Sequence, residues 1–161
     1  MAKHSQIEKQ IKKLMAVVKE TNEIYADKLS DKVLMVCISA IDRFYDEYTP
    51  KYYDRLGTLY NVYEVNQSKN YITVLFDSSA LSGHRVSNDY IYNTVFLQGY
   101  HGGAWVGIDR PYYRTNVCFT DWGDPAKRSH SPFQDIKRKV ERLKTKDLLL
   151  DTFSKVARKY Y

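Results

Sequence analysis

The chain has 161 residues, of which 43% are hydrophobic and 27% are charged, and its formal net charge is +6. A chain of this length and composition buries a core without disulfide or metal staples, which excludes an intrinsically disordered polypeptide. We therefore expect a single domain over residues 1–161.

The two cysteines, Cys37 and Cys118, are eighty residues apart, and neither belongs to a C-x-x-C pair. This spacing predicts no zinc or thioredoxin-type motif, and Cys37 lies in an apolar helical run typical of a core residue. No uninterrupted apolar run approaches eighteen residues, and the N-terminus lacks the pattern of a signal peptide. We expect a protein of the reducing cytoplasm with no membrane partner, no cofactor and no metal.

Helical periodicity dominates the first third of the chain. From His4 to Tyr25 apolar residues recur in steps of four and three, which predicts an amphipathic helix. These residues are Ile7, Ile11, Leu14, Val18 and Tyr25. Ser30 is a typical N-cap, so we expect a second helix from there until Thr49-Pro50 ends it. The apolar stripe of the second helix is Leu34, Cys37, Ile38, Ile41, Phe44, Tyr45 and Tyr48.

After Gly57 the pattern changes to short runs rich in Val, Ile, Thr and Tyr. A β-hairpin with a five-residue loop is predicted from residues 58–65 and 71–77. Residues 78–89 are predicted to form a loop, and residues 90–98 are predicted to form a third strand. Residues 109–131 show little periodicity and predict a long functional loop with one short strand near residues 117–120.

The segment Ser131-Pro132-Phe133-Gln134 combines a capping box with proline at the first helical position, so a helix is expected to start there. A second helical stretch follows and places Leu149, Phe153, Val156 and Tyr160 on one side. The predicted fold class is α+β: two N-terminal helices, a small antiparallel sheet with long loops, and a C-terminal helix or helix pair.

Tyrosine is unusually abundant, with fifteen residues, six of them between Tyr45 and Tyr63. A phenol ring buries apolar area while its hydroxyl tolerates water, the combination that protein interfaces favour. Core packing explains some of these residues, and a contact surface explains the surplus.

Basic residues concentrate after residue 126. Residues 127–161 contain eleven Lys or Arg and four acids, so this segment carries +7 and the first 126 residues carry −1. A solvated helix face is the simpler interpretation. The alternative is weak contact with nucleic-acid phosphates, made by Lys137, Arg138, Lys139, Arg142 and Lys144. A small basic nucleic-acid-binding protein of phage origin is therefore the main rival function.

An enzyme is the third class considered. The stretch His101-Gly102-Gly103-Ala104-Trp105 is similar to the HGGG-type oxyanion loop of lipases and esterases, but no G-x-S-x-G elbow occurs anywhere in the chain. The four histidines lack metal-ligand spacing, and turn chemistry accounts for Asp121 and Asp124. We therefore expect that the protein is not an enzyme. Magnesium-dependent cleavage of DNA would contradict this expectation and favour a nuclease.

The segment Tyr53-Asp54-Arg55-Leu56-Gly57-Thr58-Leu59 is similar to a Y-x-R-T-G-x-L pattern, with Leu56 in place of the usual threonine. That pattern is common in the tail-completion and head–tail joining proteins of tailed bacteriophages, at a helix-to-sheet junction. The glycines of residues 99–103 and the helix start at residues 131–133 follow in compatible order. The resemblance covers roughly residues 40–145.

The resemblance implies a non-enzymatic virion subunit, assembled in the host cytoplasm into a ring around the DNA channel at the head–tail junction or tail end. Its partners would be copies of itself and other neck or tail proteins, with possible non-specific contact to DNA. A ring needs two different contact surfaces on each copy. The residues expected at subunit interfaces are Tyr48, Tyr52, Tyr53, Arg55, Tyr100, His101, Trp105, Tyr112, Tyr113 and Trp122. Residues 99–103 would form a lip that a neighbouring copy approaches closely.

Overall fold

A computed structural model describes residues 2–47, 57–68, 71–81, 87–101, 127–128 and 130–161. Its first element is helix α1, which runs without interruption from Ala2 to Asp46. No glycine or proline occurs within these residues, so nothing removes a backbone hydrogen bond or loosens the helix from inside.

The prediction of two N-terminal helices is therefore wrong in one respect, because Ser30 lies inside α1 and does not cap a new helix. A serine side chain competes for backbone hydrogen bonds only weakly, and it is tolerated within a helix that packing stabilises. Beyond Ser30 the buried residues of α1 keep helical spacing, and they are Val33, Cys37, Ala40, Ile41 and Phe44. The expected helix end at Pro50 lies outside the described residues.

The predicted hairpin is confirmed, with a later start. A 3-10 turn, Thr58–Asn61, precedes strand β1, Tyr63–Gln67, which pairs with β2, Ile72–Phe76. The turn replaces the first residues of the expected strand because Gly57 has a left-handed φ of +68° and directs the chain into a tight bend.

The predicted third strand is wrong. Residues 88–97 form a short helix α2, Asn88–Ile91, followed by the π-helical segment Tyr92–Leu97. Ile91 and Phe96 are both buried, although their separation of five residues would put them on opposite faces of a strand. The i to i+5 geometry of a π-helix brings them to one face, so packing overrides the strand propensity of this segment.

Two further strands, β3 (Tyr100–His101) and β4 (Lys127–Arg128), pair antiparallel. The C-terminal helix pair is confirmed as α3, Pro132–Glu141, and α4, Thr145–Tyr160. The N-cap half of the predicted capping box is present, since Ser131 Oγ accepts a hydrogen bond of 3.0 Å from the backbone N–H of Gln134.

The α+β class is confirmed: helices accompany two small two-stranded sheets. The chain divides into two compact units that alternate along the sequence. The first comprises residues 1–33, 65–73 and 143–161, and the second comprises residues 34–64 and 74–142. The single domain expected over residues 1–161 stays a prediction.

Each unit has its own buried residues. In the first unit these are Val17, Thr21, Val33, Thr152 and Val156. In the second unit an aromatic cluster joins Phe76, Phe96 and Phe133, whose ring centroids lie 5.3–6.1 Å apart. Cys37 is fully buried, which confirms its predicted core position.

Candidate functional site

Most residues predicted at subunit interfaces lie outside the described residues, so their placement is untested. They are Tyr48, Tyr52, Tyr53, Arg55, Trp105, Tyr112, Tyr113 and Trp122. Tyr100 and His101 lie on β3, where they pair with Arg128 and Lys127.

None of the tyrosines whose side chains the structure describes is fully buried, but they differ in how far they pack against their own chain. The Tyr60 hydroxyl donates a hydrogen bond of 2.5 Å to Asp42, and its ring lies 5.6 Å from that of Tyr45. Desolvation and this hydrogen bond to Asp42 raise the pKa of Tyr60 to about 12, so its proton stays on the phenol. Tyr71 and Tyr161 are instead strongly exposed. Internal packing thus uses part of the tyrosine surplus, and part remains on the surface.

Gly99, in the segment expected to form a lip that a neighbouring copy approaches, lies close to the backbone of its own chain. Gly99 has φ +77°, and a Cβ built there would lie 2.7 Å from the backbone of both His130 and Ser131. At this position the close approach is therefore intramolecular, which corrects the expectation that a neighbouring copy needs it. Gly102 and Gly103 lie outside the described residues.

Two of the five predicted nucleic-acid contacts are engaged in ion pairs. The Asp135 carboxylate is almost fully buried, with 1% of its side chain exposed. Arg138 Nη2 lies 2.6 Å from Oδ1 of this carboxylate, and Lys139 Nζ lies 2.9 Å from Oδ2. Burial alone would raise the pKa of Asp135, but Lys139 and Arg138 outweigh it and hold the pKa below its ordinary value.

The same carboxylate connects to α1. Arg43 Nη1 lies 3.8 Å from Asp135 Oδ1, and Arg43 Nε lies 3.4 Å from Glu47 Oε1. His130 Nδ1 lies 2.8 Å from the same Glu47 oxygen. Sequence analysis missed this network, because nothing in the local pattern indicates that residues of α1 meet the start of α3.

The other three predicted contacts, Lys137, Arg142 and Lys144, are exposed and make no ion pair within the described part of the chain. These three of the five predicted contacts remain available to an anionic partner. No group of three or more potential metal ligands occurs among the residues that the structure describes.

An exposed apolar surface lies on α1, along the helical stripe that the sequence periodicity predicts. Every residue from Ser5 to Met15 is exposed. The α1 stripe consists of Ile7, Ile11, Leu14, Met15 and Val18, whose exposed fractions are 44–67%. Sequence analysis identified four of these five residues but not that the chain leaves them uncovered.

A second apolar surface lies on α4. Thr152 and Val156 of this helix are buried, and Lys28 of α1 donates a hydrogen bond of 3.4 Å to Thr152 Oγ1. Its C-terminal end is attached to Glu20, which accepts a hydrogen bond of 2.5 Å from Lys159 and one of 2.9 Å from Tyr160. The α4 patch, which consists of Leu149, Leu150 and Phe153, stays 36–53% exposed.

In comparisons with known proteins, no family model, curated protein or solved structure matches the chain. Over the described residues, no helix combines the length and the apolar character that crossing a membrane requires.

Proposed function

We propose that this protein is a structural, non-enzymatic virion subunit of a tailed phage or prophage, which assembles with copies of itself into a ring at the head–tail junction or tail end. The pattern at residues 53–59 supports the family. The exposed α1 stripe and α4 patch support the mode of action, because apolar residues that cluster on a surface mark contact sites more often than scattered ones do.

The observation that carries the proposal is the presence of two separate apolar surfaces in one compact unit. A closed ring requires each copy to present two different surfaces. The α1 stripe lies on residues 7–18, and the α4 patch lies on residues 149–153. α4 runs antiparallel to α1, since Thr152 meets Lys28 while Tyr160 meets Glu20. The patch therefore lies beside the middle of α1, away from the stripe.

Electron microscopy and sedimentation velocity on concentrated protein test this function. We expect ring-shaped oligomers whose population grows with concentration. Leu150→Gln should reduce assembly at least tenfold, because it removes apolar area from the α4 patch. Arg158→Gln, an exposed change on another side of the same helix, is the matched control. A wild-type protein that stays monomeric at every concentration contradicts the proposal.

The rival function is nucleic-acid binding, and it is favoured by Lys137, Arg142 and Lys144, which form no ion pair with any described residue. Phosphate contacts of this kind weaken steeply as salt increases. A titration with double-stranded DNA between 50 and 200 mM salt separates the two functions. A variant in which Lys137, Arg142 and Lys144 are all changed to Gln serves as the control. Sub-micromolar affinity that falls steeply with salt, and that this variant loses, would favour nucleic-acid binding.

A further inference from the structure

We infer that the α1 stripe binds the same stripe of a second copy of this chain, as a short parallel two-stranded coiled coil over residues 7–18. The inference rests on the proposed self-assembly and specifies one of its contacts. Because a contact between two identical stripes is two-fold symmetric, it joins copies in pairs, and the α4 patch is left to join one pair to the next.

The apolar residues of the α1 stripe have the spacing of a coiled-coil seam. Ile7, Ile11, Leu14 and Val18 follow one another in steps of four, three and four, which is the heptad repeat of a coiled-coil seam. In this register Ile11 and Val18 occupy a positions, and Ile7 and Leu14 occupy d positions. β-branched residues at a with leucine at d favour two parallel strands, because their rotamers fill the holes of that geometry.

The lysines of this segment lie away from the apolar seam. Lys9, Lys12 and Lys19 occupy the f and b positions, on the side of the helix away from the seam. Lys13, at a c position, lies 5.9 Å from the ring centre of Tyr161 within its own unit. The seam can therefore close on a second copy without bringing these lysines together, although the segment as a whole is basic.

The exposed apolar area of the α1 stripe is large enough for a weak interface between two copies. Five aliphatic side chains that are about half exposed offer roughly 80–100 Å² each, so a symmetric pair buries about 800–1,000 Å² in total. Specific protein–protein interfaces bury at least about 1,000 Å² of surface in total. The seam is thus large enough for a weak, reversible pair, which additional contacts in an oligomer would strengthen by raising the effective concentration.

Disulfide trapping of single-cysteine variants tests the contact and its direction. The native Cys37 does not interfere, since it is buried and its pKa is raised to about 11 by that burial. In a Cys118→Ser background, Ile7→Cys should form a covalent dimer at least tenfold faster than Lys9→Cys, whose side chain points away from the seam. An antiparallel pair would instead join Ile7→Cys to Val18→Cys in a mixture, and this result would overturn the parallel arrangement.

A substitution pair separates this inference from the proposed function. Ile11→Asp should raise the dimer dissociation constant at least tenfold, while Lys12→Asp should change it less than threefold. Residue 11 is exposed in the single copy, so circular dichroism should show both variants folded. Oligomers that survive Ile11→Asp would overturn the coiled coil and leave self-assembly intact, whereas a wild-type monomer at all concentrations would remove both.

A lipid surface is the other occupant that the basic, amphipathic segment fits. Co-sedimentation with vesicles of equal parts phosphatidylglycerol and phosphatidylcholine distinguishes it. We expect no binding above that of Ile11→Asp. Binding that Ile11→Asp abolishes, together with no disulfide-trapped dimer, would assign the stripe to the lipid surface and overturn the inference.

Discussion

Asp135 is a buried acid that faces three cationic side chains, from Arg43, Arg138 and Lys139. An isolated carboxylate in this position would be costly, because burial removes its hydration. The cations compensate for that loss, and they lie partly in solvent, with 31–53% of each side chain exposed. The pairing therefore stabilises the fold, and it engages Arg138 and Lys139, two of the residues predicted to contact nucleic acid.

We expect Asp135→Asn to destabilise the protein by about 1–3 kcal/mol, because it removes a buried charge partner and leaves its cations uncompensated. Urea unfolding at neutral pH measures this loss. Asp31→Asn, an exposed change on α1, is the control and should stay within about 0.5 kcal/mol. Equal effects from the two variants would contradict the buried pairing.

The pH dependence of the same pair has a defined sign. The pKa of Asp135 is lowered in the folded state relative to its ordinary value of 3.8. Its contribution is therefore complete above the unfolded-state pKa and disappears as the pH falls through the folded-state pKa. The stability difference between wild type and Asp135→Asn should stay constant above about pH 5 and shrink in more acidic solution. Unfolding curves from pH 2.5 to 7 follow this difference, and a gap that widens in acid would be inconsistent with the assignment.

Two glycines allow steric contact to be separated from backbone strain. Both have positive φ, but a Cβ at Gly99 meets backbone at 2.7 Å, whereas at Gly57 its nearest neighbour is the Tyr60 ring at 3.9 Å. We expect Gly57→Ala to cost about 1 kcal/mol from strain alone and Gly99→Ala about 3 kcal/mol from strain and displacement of the chain. Thermal unfolding of both variants checks the order. Similar losses would mean that residues 130–131 move aside freely.

At the scale of elements, the start of α3 shows how a local signal becomes a tertiary contact. Ser131 Oγ accepts from the Gln134 N–H, as the capping box predicts, and also donates a hydrogen bond of 3.1 Å to the carbonyl oxygen of Phe96. One hydroxyl thus caps α3 and ties it to the end of the π-helical segment, which explains why this serine is buried.

Ser131→Ala should therefore cost about 1–2 kcal/mol, because the cap is lost and the Phe96 carbonyl loses its donor. Denaturant titration measures the change. Ser154→Ala, an exposed serine within α4, provides the comparison and should alter stability by less than about 0.5 kcal/mol. If Ser131→Ala is equally mild, then neither hydrogen bond contributes to stability.

At the scale of the whole molecule, net charge and exposed apolar area act in opposite directions. Copies that each carry +6 repel one another, and salt screens this repulsion while it leaves contact between apolar surfaces intact. The proposed assembly differs in this respect from binding to nucleic acid, which salt weakens.

We therefore expect the oligomeric fraction at fixed protein concentration to rise, or at least to persist, between 0.05 and about 0.5 M NaCl. Sedimentation velocity across this range measures it. Oligomers that dissociate over the same range would show that ion pairs, and not the α1 stripe and α4 patch, hold the copies together.

Local chemistry made several features predictable from the sequence alone. The helical periodicity of residues 4–25, the hairpin and the capping box at residues 131–134 all depend on neighbours within a few residues. The structure confirms the helix, the hairpin and the Ser131 N-cap. The interface tyrosines and tryptophans predicted from composition stay predictions, since most lie outside the described residues.

Other features were decided only by contacts between distant segments. Periodicity identified an apolar stripe on α1 but not that the chain leaves it exposed, because burial depends on what packs there. Strand propensity at residues 90–98 yielded to the packing of Ile91 and Phe96 on one face. Likewise, the charges of Arg138 and Lys139 are visible in the sequence, but their pairing requires the fold to bury Asp135 beside them. Local backbone preference sets the element, whereas the free energy of burial and charge pairing selects its face and its partners.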